Sequence, residues 1–304
     1  MWTFAQVTTF DTQLYARLPD SMRFQKHEAK TDRRRRNFLE GPSFDHDGNL
    51  YCVDIPCGRI YRISPSRSWE IVADYDGQPN GLKIHRDGRL FVADRVRGIV
   101  VVDPRTGVVE TAVSGPRSGE KFKGPNDLVF DHEGNLYFTD QGGTGLQDST
   151  GCVYRFTKKG SLECMLDNVP SPNGIVVNRS GSGLYVAVTR ANQVWRMDLT
   201  HSSRRTGLFC QTPSAGPDGL ALDGLGNVYV ALPGAGVIWI YSKWGELLHG
   251  VKSCAGEMTV NVSFGGEDRR KLFITESKEN QILVADLPYA GLPMYSHWVD
   301  PDAT

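Results

Sequence analysis

One phrase recurs six times along this chain, and a repeat of that length leaves few folds open. It reads EGPSFDHDGNLYCVD from Glu40 and NGLKIHRDGRLFVAD from Asn80. It returns as NDLVFDHEGNLYFTD from Asn126, NGIVVNRSGSGLYVAV from Asn173, DGLALDGLGNVYVAL from Asp218 and, more weakly, NVSFGGEDRRKLFITE from Asn261. Successive starts lie 40 to 47 residues apart. A strand-rich repeat with a period in the forties marks propeller blades, each of which buries its faces only against its neighbours.

Each copy carries the same local chemistry. A short apolar run such as Leu128-Val129-Phe130 predicts a strand, and Leu136-Tyr137-Phe138 predicts its return. Between them, Asp131-His132-Glu133-Gly134-Asn135 supplies the Gly and Asn that a tight reversal needs. A third run follows in every copy, for example Gly98–Val102 and Val237–Tyr241, and a fourth, outer strand is less regular. The chain is therefore expected to be all-β, a single six-bladed propeller over 1–304. Residues 40–288 form the repeats and 289–304 a tail. Residues 1–39 help to close the ring, with Gln6–Phe10 pairing onto the last blade. An alternating β-sandwich does not explain the long-range period.

Composition narrows the function. The formal net charge is −1, so no strong field draws the chain to nucleic acid or to anionic membrane. The start lacks a basic stretch followed by an apolar one, and no run approaches the roughly 18 apolar residues of a membrane helix. A cytoplasmic protein is expected. The basic run Arg33-Arg34-Arg35-Arg36 reads as a solvated turn rather than a localisation signal. Six cysteines without CxxC or Cys-His spacing read as buried or half-buried free thiols.

Aligning the copies on their turns brings Glu40, Asn80, Asn126, Asn173, Asp218 and Asn261 to one equivalent position at the start of the inner strand. All six carry a side-chain oxygen. Inner strands line a propeller's axis, so these oxygens converge. Buried carboxylates need a counter-charge and buried amides need partners, and one divalent cation on the axis supplies both. Hard oxygen donors suit Ca²⁺ first, then Mg²⁺ or Mn²⁺; Zn²⁺ fits less well because no Cys or His shares the position. The competing reading is that Asn and Asp cap turns there, which six copies with one Glu make a weaker account.

At this point the chain resembles a known family. EGP at Glu40, PND at Asn126, SPNG at Asn173 and GPDG at Asp218 are similar to motifs of the senescence-marker-protein-30/gluconolactonase family, which includes lactonases, diisopropyl-fluorophosphatase-like enzymes and luciferin-regenerating proteins. The resemblance spans about 38–288. It implies one catalytic divalent ion, with Glu40, Asn173 and Asp218 as direct ligands and Asn126 as a ligand or substrate contact. Sugar-lactone members carry an Arg two residues before the Asn matched by Asn126, where this chain has Gly124.

The expected activity is hydrolysis of a small lactone or other ester by water attack, with Asp218 or Asp127 taking the proton and the ion polarising the carbonyl. Asn80, Asn126 and Arg190 are the residues expected to face the substrate, with Arg95 and Arg97 able to reach inward as well. Asp54, Asp94, Asp140 and Glu276 close the second strands and either orient ligands or cap loops. The glycine-rich loop Gln141–Thr150 suits a rim over the pocket. His46 and His132 fall in turns on the opposite face. A phosphotriesterase-type hydrolase using the same ion, or a binding propeller without chemistry, remain the other readings.

Overall fold

A computed structural model describes residues 7–24, 36–213 and 215–297. Six sheets are present, five of four strands and one of five, and they form the six-bladed propeller expected from the repeat. The innermost strands are Leu39–Phe44, Pro79–Ile84, Pro125–Phe130, Pro172–Val177, Leu220–Leu222 and Thr259–Gly265. Each runs antiparallel to the next strand of its own blade.

The hairpin chemistry explains the recurring DxxGN phrase. Asp131 accepts hydrogen bonds from the Glu133 and Asn135 amides at 3.0 and 2.9 Å and from Asn135 Nδ2 at 2.9 Å. Asp45 and Asp223 do the same for Asn49 and Asn227. Gly48, Gly134 and Gly226 take φ of 77°, 86° and 85°, a region that favours glycine.

The apolar cores lie between blades rather than inside any one of them. Tyr51, Val53 and Ile60 of blade one pack with Leu82, Leu90 and Val92 of blade two. Five further clusters join two to three, three to four, four to five, five to six and six back to one. This is why one blade cannot fold alone: each of its two faces is buried only against a neighbour.

Ring closure differs in detail from the sequence reading. The strand that completes blade six is Gln13–Arg17, antiparallel to Gln281–Asp286. Thr8–Asp11 instead runs parallel to Leu247–Lys252 and adds a fifth strand to blade five; Gln6 lies outside the described residues. The side chains account for the division. Tyr15 packs on Phe273 at 4.9 Å, and Ala16 and Leu18 enter the core between blades six and one. Phe10 serves blade five by meeting His249.

The C-terminal segment crosses the mouth of the axis on the hairpin face. Leu292 N donates to Leu222 O at 2.9 Å and Gly291 N to Arg269 O at 2.8 Å, while Ser296 Oγ reaches Phe44 O at 3.1 Å and Tyr295 stacks on Phe130. Among the described residues no helix is long and apolar enough to cross a membrane. Cys52, Cys57 and Cys210 are buried and Cys152 half-buried, but Cys164, at a solvent-facing position of Leu162–Val169, and Cys254, in the loop after Leu247–Lys252, are exposed.

Truncating residues 1–17 removes the outer strand of blade six and leaves Gln281–Asp286 as an open edge. The expected result is a lower melting temperature and concentration-dependent association by size-exclusion chromatography. A truncated chain that melts and elutes like the intact one contradicts this account of closure.

Candidate metal centre

The axis is shaped first by glycines. A Cβ on Gly41 would lie 2.6 Å from Asn80 O, and one on Gly174 would lie 2.2 Å from Asp218 O. At Gly81 it would meet Asp127 Oδ1 at 2.5 Å, and at Gly219 it would meet Asn261 Oδ1 at 2.2 Å. Each glycine follows a donor residue and lets the next inner strand approach closely. Glu40 and Asp218 lie near enough to repel each other and Asn173 hydrogen-bonds to Asp218, while Asn80 and Asn126 are buried at the equivalent strand starts.

Asn261 does not share their position. Val262 pairs with Ile274 as Leu128 pairs with Phe138, which makes Asn261 the counterpart of Asp127 and puts Val260 at the donor position. The hydrogen bonds agree. Asp127 N donates to Thr139 Oγ1 at 3.1 Å, and Asn261 N to Thr275 Oγ1 at 3.2 Å. Leu128 N donates to Asp127 Oδ1 and Val262 N to Asn261 Oδ1, both at 2.8 Å. The weak sixth copy hid this one-residue offset. Blades three and six thus place a side chain where blades one, two, four and five place a glycine.

A backbone clamp fixes the donors. Asp54 Oδ1 accepts from Phe38 N at 3.0 Å, Asp94 Oδ2 from Gln78 N at 2.9 Å, Asp140 Oδ1 from Gly124 N at 2.7 Å and Glu276 Oε1 from Met258 N at 3.2 Å. Each amide lies two residues before Glu40, Asn80, Asn126 or Val260. The acids that close the second strands are therefore loop caps that set where the inner strands begin. In blade four the equivalent amide, Ser171 N, donates to Thr144 Oγ1 at 3.0 Å, and Thr189 Oγ1 donates across to Pro217 O at 2.8 Å, directly before Asp218 of blade five. Ladder registers shift at the same place in five blades, and such bulges re-aim side chains.

The charges on the axis are unbalanced. Burial first, then Asp218 and Asp127, hold the Glu40 carboxyl well above its usual range, against hydrogen bonds from Gly41 N at 2.6 Å and Asn261 Nδ2 at 2.9 Å. Burial and then Asp127 push Asp218 from its ordinary 3.8 to about 8, although Asn173 hydrogen-bonds to it. Asp218 is half-buried, whereas the Asp127 side chain is 2% exposed. Lys83 Nζ stands 3.7 Å from Asp127 Oδ1 and is the cation that pairs with this group among the described residues. Three carboxylates against one ammonium leave two formal negative charges, the complement of a dication. Among the described residues no set of three or more His, Cys, Asp and Glu has metal-holding geometry, so any ion here depends on the amide oxygens as well.

Asn126 shows how an amide can be aimed. Its Nδ2 donates to Gln141 Oε1 at 2.8 Å, and Gln141 Nε2 donates onward to Ser171 Oγ at 2.9 Å. This commits the nitrogen to the wall and leaves Oδ1 as the atom able to act as a ligand. The loop that provides Gln141 is stitched inward, with Thr144 accepting from Ser171 N at 3.0 Å. Asn80 and Asn173 are buried in the same ring. Arg190 sits on an exposed turn at the rim. Arg97 turns away to Thr111 and the Tyr75 ring, while Arg95 lies along Gly124, its Cγ 3.0 Å from where a Cβ would be. Lys83 was missed because it stands inside the repeated strand, where blade three has Val129, and Gln141 because it opens an irregular loop. Thr139 and Thr275 were findable: Thr precedes the closing acid only in the two blades that replace the glycine.

The comparisons with known proteins agree with this architecture. Residues 38–278 match the model of the SMP-30/gluconolactonase/LRE-like region. The chain is 30% identical over 221 residues to lactonase drp35 of Staphylococcus saprophyticus, covering 68% of this chain and 67% of that one. It is 31% identical over 273 residues to a gluconolactonase of Zymomonas mobilis, covering 78% and 76%. It is 29% identical over 274 residues to the diisopropyl-fluorophosphatase of Loligo vulgaris, covering 80% and 87%. Among solved structures, the calcium-binding protein regucalcin of Agrobacterium tumefaciens superposes with a TM-score of 0.77 at 19% identity, covering 96% and 99%.

Two outcomes follow from this geometry. Gly174→Ala, with its Cβ forced against the Asp218 carbonyl, should destabilise the fold by about 1–3 kcal/mol in urea melts. Gly207→Ala, where no atom lies within 4 Å, should not, and equal effects would refute the close approach. The raised carboxyls give a pH signature. A carboxyl whose folded value is 8 against an ordinary 3.8 binds more protons when folded, so its contribution falls as pH rises between those limits. In chelator, the melting temperature should drop from pH 5 to pH 8, and added Ca²⁺ should remove the slope. A flat profile in chelator would contradict the charge balance described here.

Proposed function

The chain belongs to the SMP-30/gluconolactonase/LRE-like family, and from that premise we propose that it is a divalent-cation-dependent hydrolase of lactones. The observation that carries the reading is the surplus of carboxylate charge on the axis, ringed by oxygen donors. Glu40, Asn173 and Asp218 are the residues that would hold the ion, with Asn126 Oδ1 as a fourth donor. This hard-oxygen set fits Ca²⁺, which accepts 6–8 oxygens, better than Mg²⁺ or Mn²⁺, and Zn²⁺ least. When bound, the ion supplies Lewis-acid polarisation of the ester carbonyl and stabilises the oxyanion.

The chain's own groups do the rest. Asp218 retains solvent contact and is the carboxylate placed to take a proton from attacking water. Asp127 is sealed behind the ring, accepts from Leu128 N and pairs with Lys83, so it acts by charge rather than by proton transfer. Asn80 and Asn126 orient the substrate at the mouth. Arg190 and Arg95 are both exposed at the rim, and Arg95, whose Cγ lies alongside Gly124, is the guanidinium nearer the vacant position.

Gly124 leaves the position used by sugar-lactone members without a side chain, so the favoured substrate is a lactone with few hydroxyls. A site built around hydroxyl donors would discriminate strongly for a sugar, and much of that grip is missing. The likeness to the squid fluorophosphatase supports a phosphoester as the second electrophile for the same site.

With Ca²⁺ saturating, kcat/KM for simple γ- and δ-lactones should exceed that for gluconolactone. A preference for gluconolactone that Arg95→Ala abolishes would show that Arg95 restores the missing grip and would overturn the substrate assignment. Asp218→Asn should lower kcat/KM by more than about 100-fold, and chelator should abolish turnover of the unaltered chain. Full turnover in chelator, or turnover of a phosphofluoridate alone, would reject a metal-dependent lactonase.

A further inference from the structure

The opposite end of the axis holds a second cavity, of 390 Å³. Asp127, Asn261 and the glycines packed on them separate it from the metal centre, since even a Cβ at Gly81 or Gly219 finds no room. Its walls are apolar, from Val129, Val176, Leu220, Val262 and Phe264, and Met294 of the C-terminal segment forms part of its roof. Lys83 lines its inner end but is paired with Asp127. Arg179 and Arg269 line its outer part, where the segment Ala290–Tyr295 crosses. The rim carboxylate of Asp131 is already satisfied by its own turn.

We propose that this cavity is a binding site for a free single-chain amphiphile with an anionic head, such as a medium-chain carboxylate. The polarity of the site fixes the orientation. Lys83, at the inner end, is already paired with Asp127, whereas the arginines stand at the mouth, so the alkyl chain points inward. The head stays at the mouth, where Arg179 is exposed and Arg269 is half-buried with its Nε donating to Gly291 O at 3.2 Å. A cavity of this size lies in the range of small-molecule sites, and its apolar walls reward a hydrocarbon over water. The site is separate from the proposed chemistry and does not require it.

The test is calorimetric titration of the full chain with hexanoate, octanoate, decanoate and 1-octanol, each with Ca²⁺ and again with chelator. Affinity should rise by about fourfold per added methylene until the cavity is full. Octanoate should bind more tightly than 1-octanol, and Arg179→Gln should weaken octanoate by up to about fivefold while leaving the alcohol unchanged. Val176→Phe should block both ligands, and Ala221→Leu is a second blocking variant, each kept only if its melt shows a folded chain. Chelator should change none of these affinities. Binding that is lost with chelator, is insensitive to both blocking variants, or is equal for acid and alcohol would overturn the proposal, as would no saturable binding at all.

Discussion

Three carboxylates, Glu40, Asp127 and Asp218, repel one another on a buried axis, and much of the molecule is arranged to keep them there. In a medium of low effective dielectric such a group holds protons or gathers a cation. The raised Glu40 and Asp218 carboxyls are the mark of that tension in the chain by itself. Lys83 offsets one charge, and the amides of Asn173 and Asn261 donate into two others. What is left over would suit a dication, and the uncharged oxygens of Asn126 and Asn173 are the donors proposed beside it.

Holding that arrangement needs rigid placement from six blades at once. The interblade cores fix the blades in a ring, with the N-terminal strand Gln13–Arg17 locking six against one. The glycines set how near the inner strands come. The acids Asp54, Asp94, Asp140 and Glu276 set where those strands begin, by capturing an amide two residues before the axial position. These acids never reach the axis, yet the axial geometry rests on them. On this view the repeat encodes a positioning device, and the individual axial residues encode the chemistry.

The sequence made the blades legible because strand, turn and period repeat, and it made five axial donors legible because each opens a blade. It failed where a residue acts without repetition. Asn261 is one step off because the hairpin of its blade, from Phe264 to Leu272, is two residues longer than that from Phe130 to Leu136, and no glycine follows the Asn. Lys83 reaches the centre by the length of its side chain, which no pattern reports. Gln141 comes from a loop whose path depends on Thr144 and Ser171. The pairing of Thr8–Asp11 with blade five is held by its ladder to His249–Lys252, by Thr12 Oγ1 donating to Lys252 O and by Phe10 on His249, none of which strand propensity reports. The far cavity depends on a C-terminal segment that lies outside the repeat altogether.

We propose that one dication resolves the axial charge and makes the site competent. The most direct test is a calcium titration of chelator-treated protein in which bound ion and lactone turnover are read in the same sample. The account predicts that both saturate together at one equivalent per chain. Turnover that is complete before any ion binds, or a bound equivalent that leaves turnover unchanged, would contradict it.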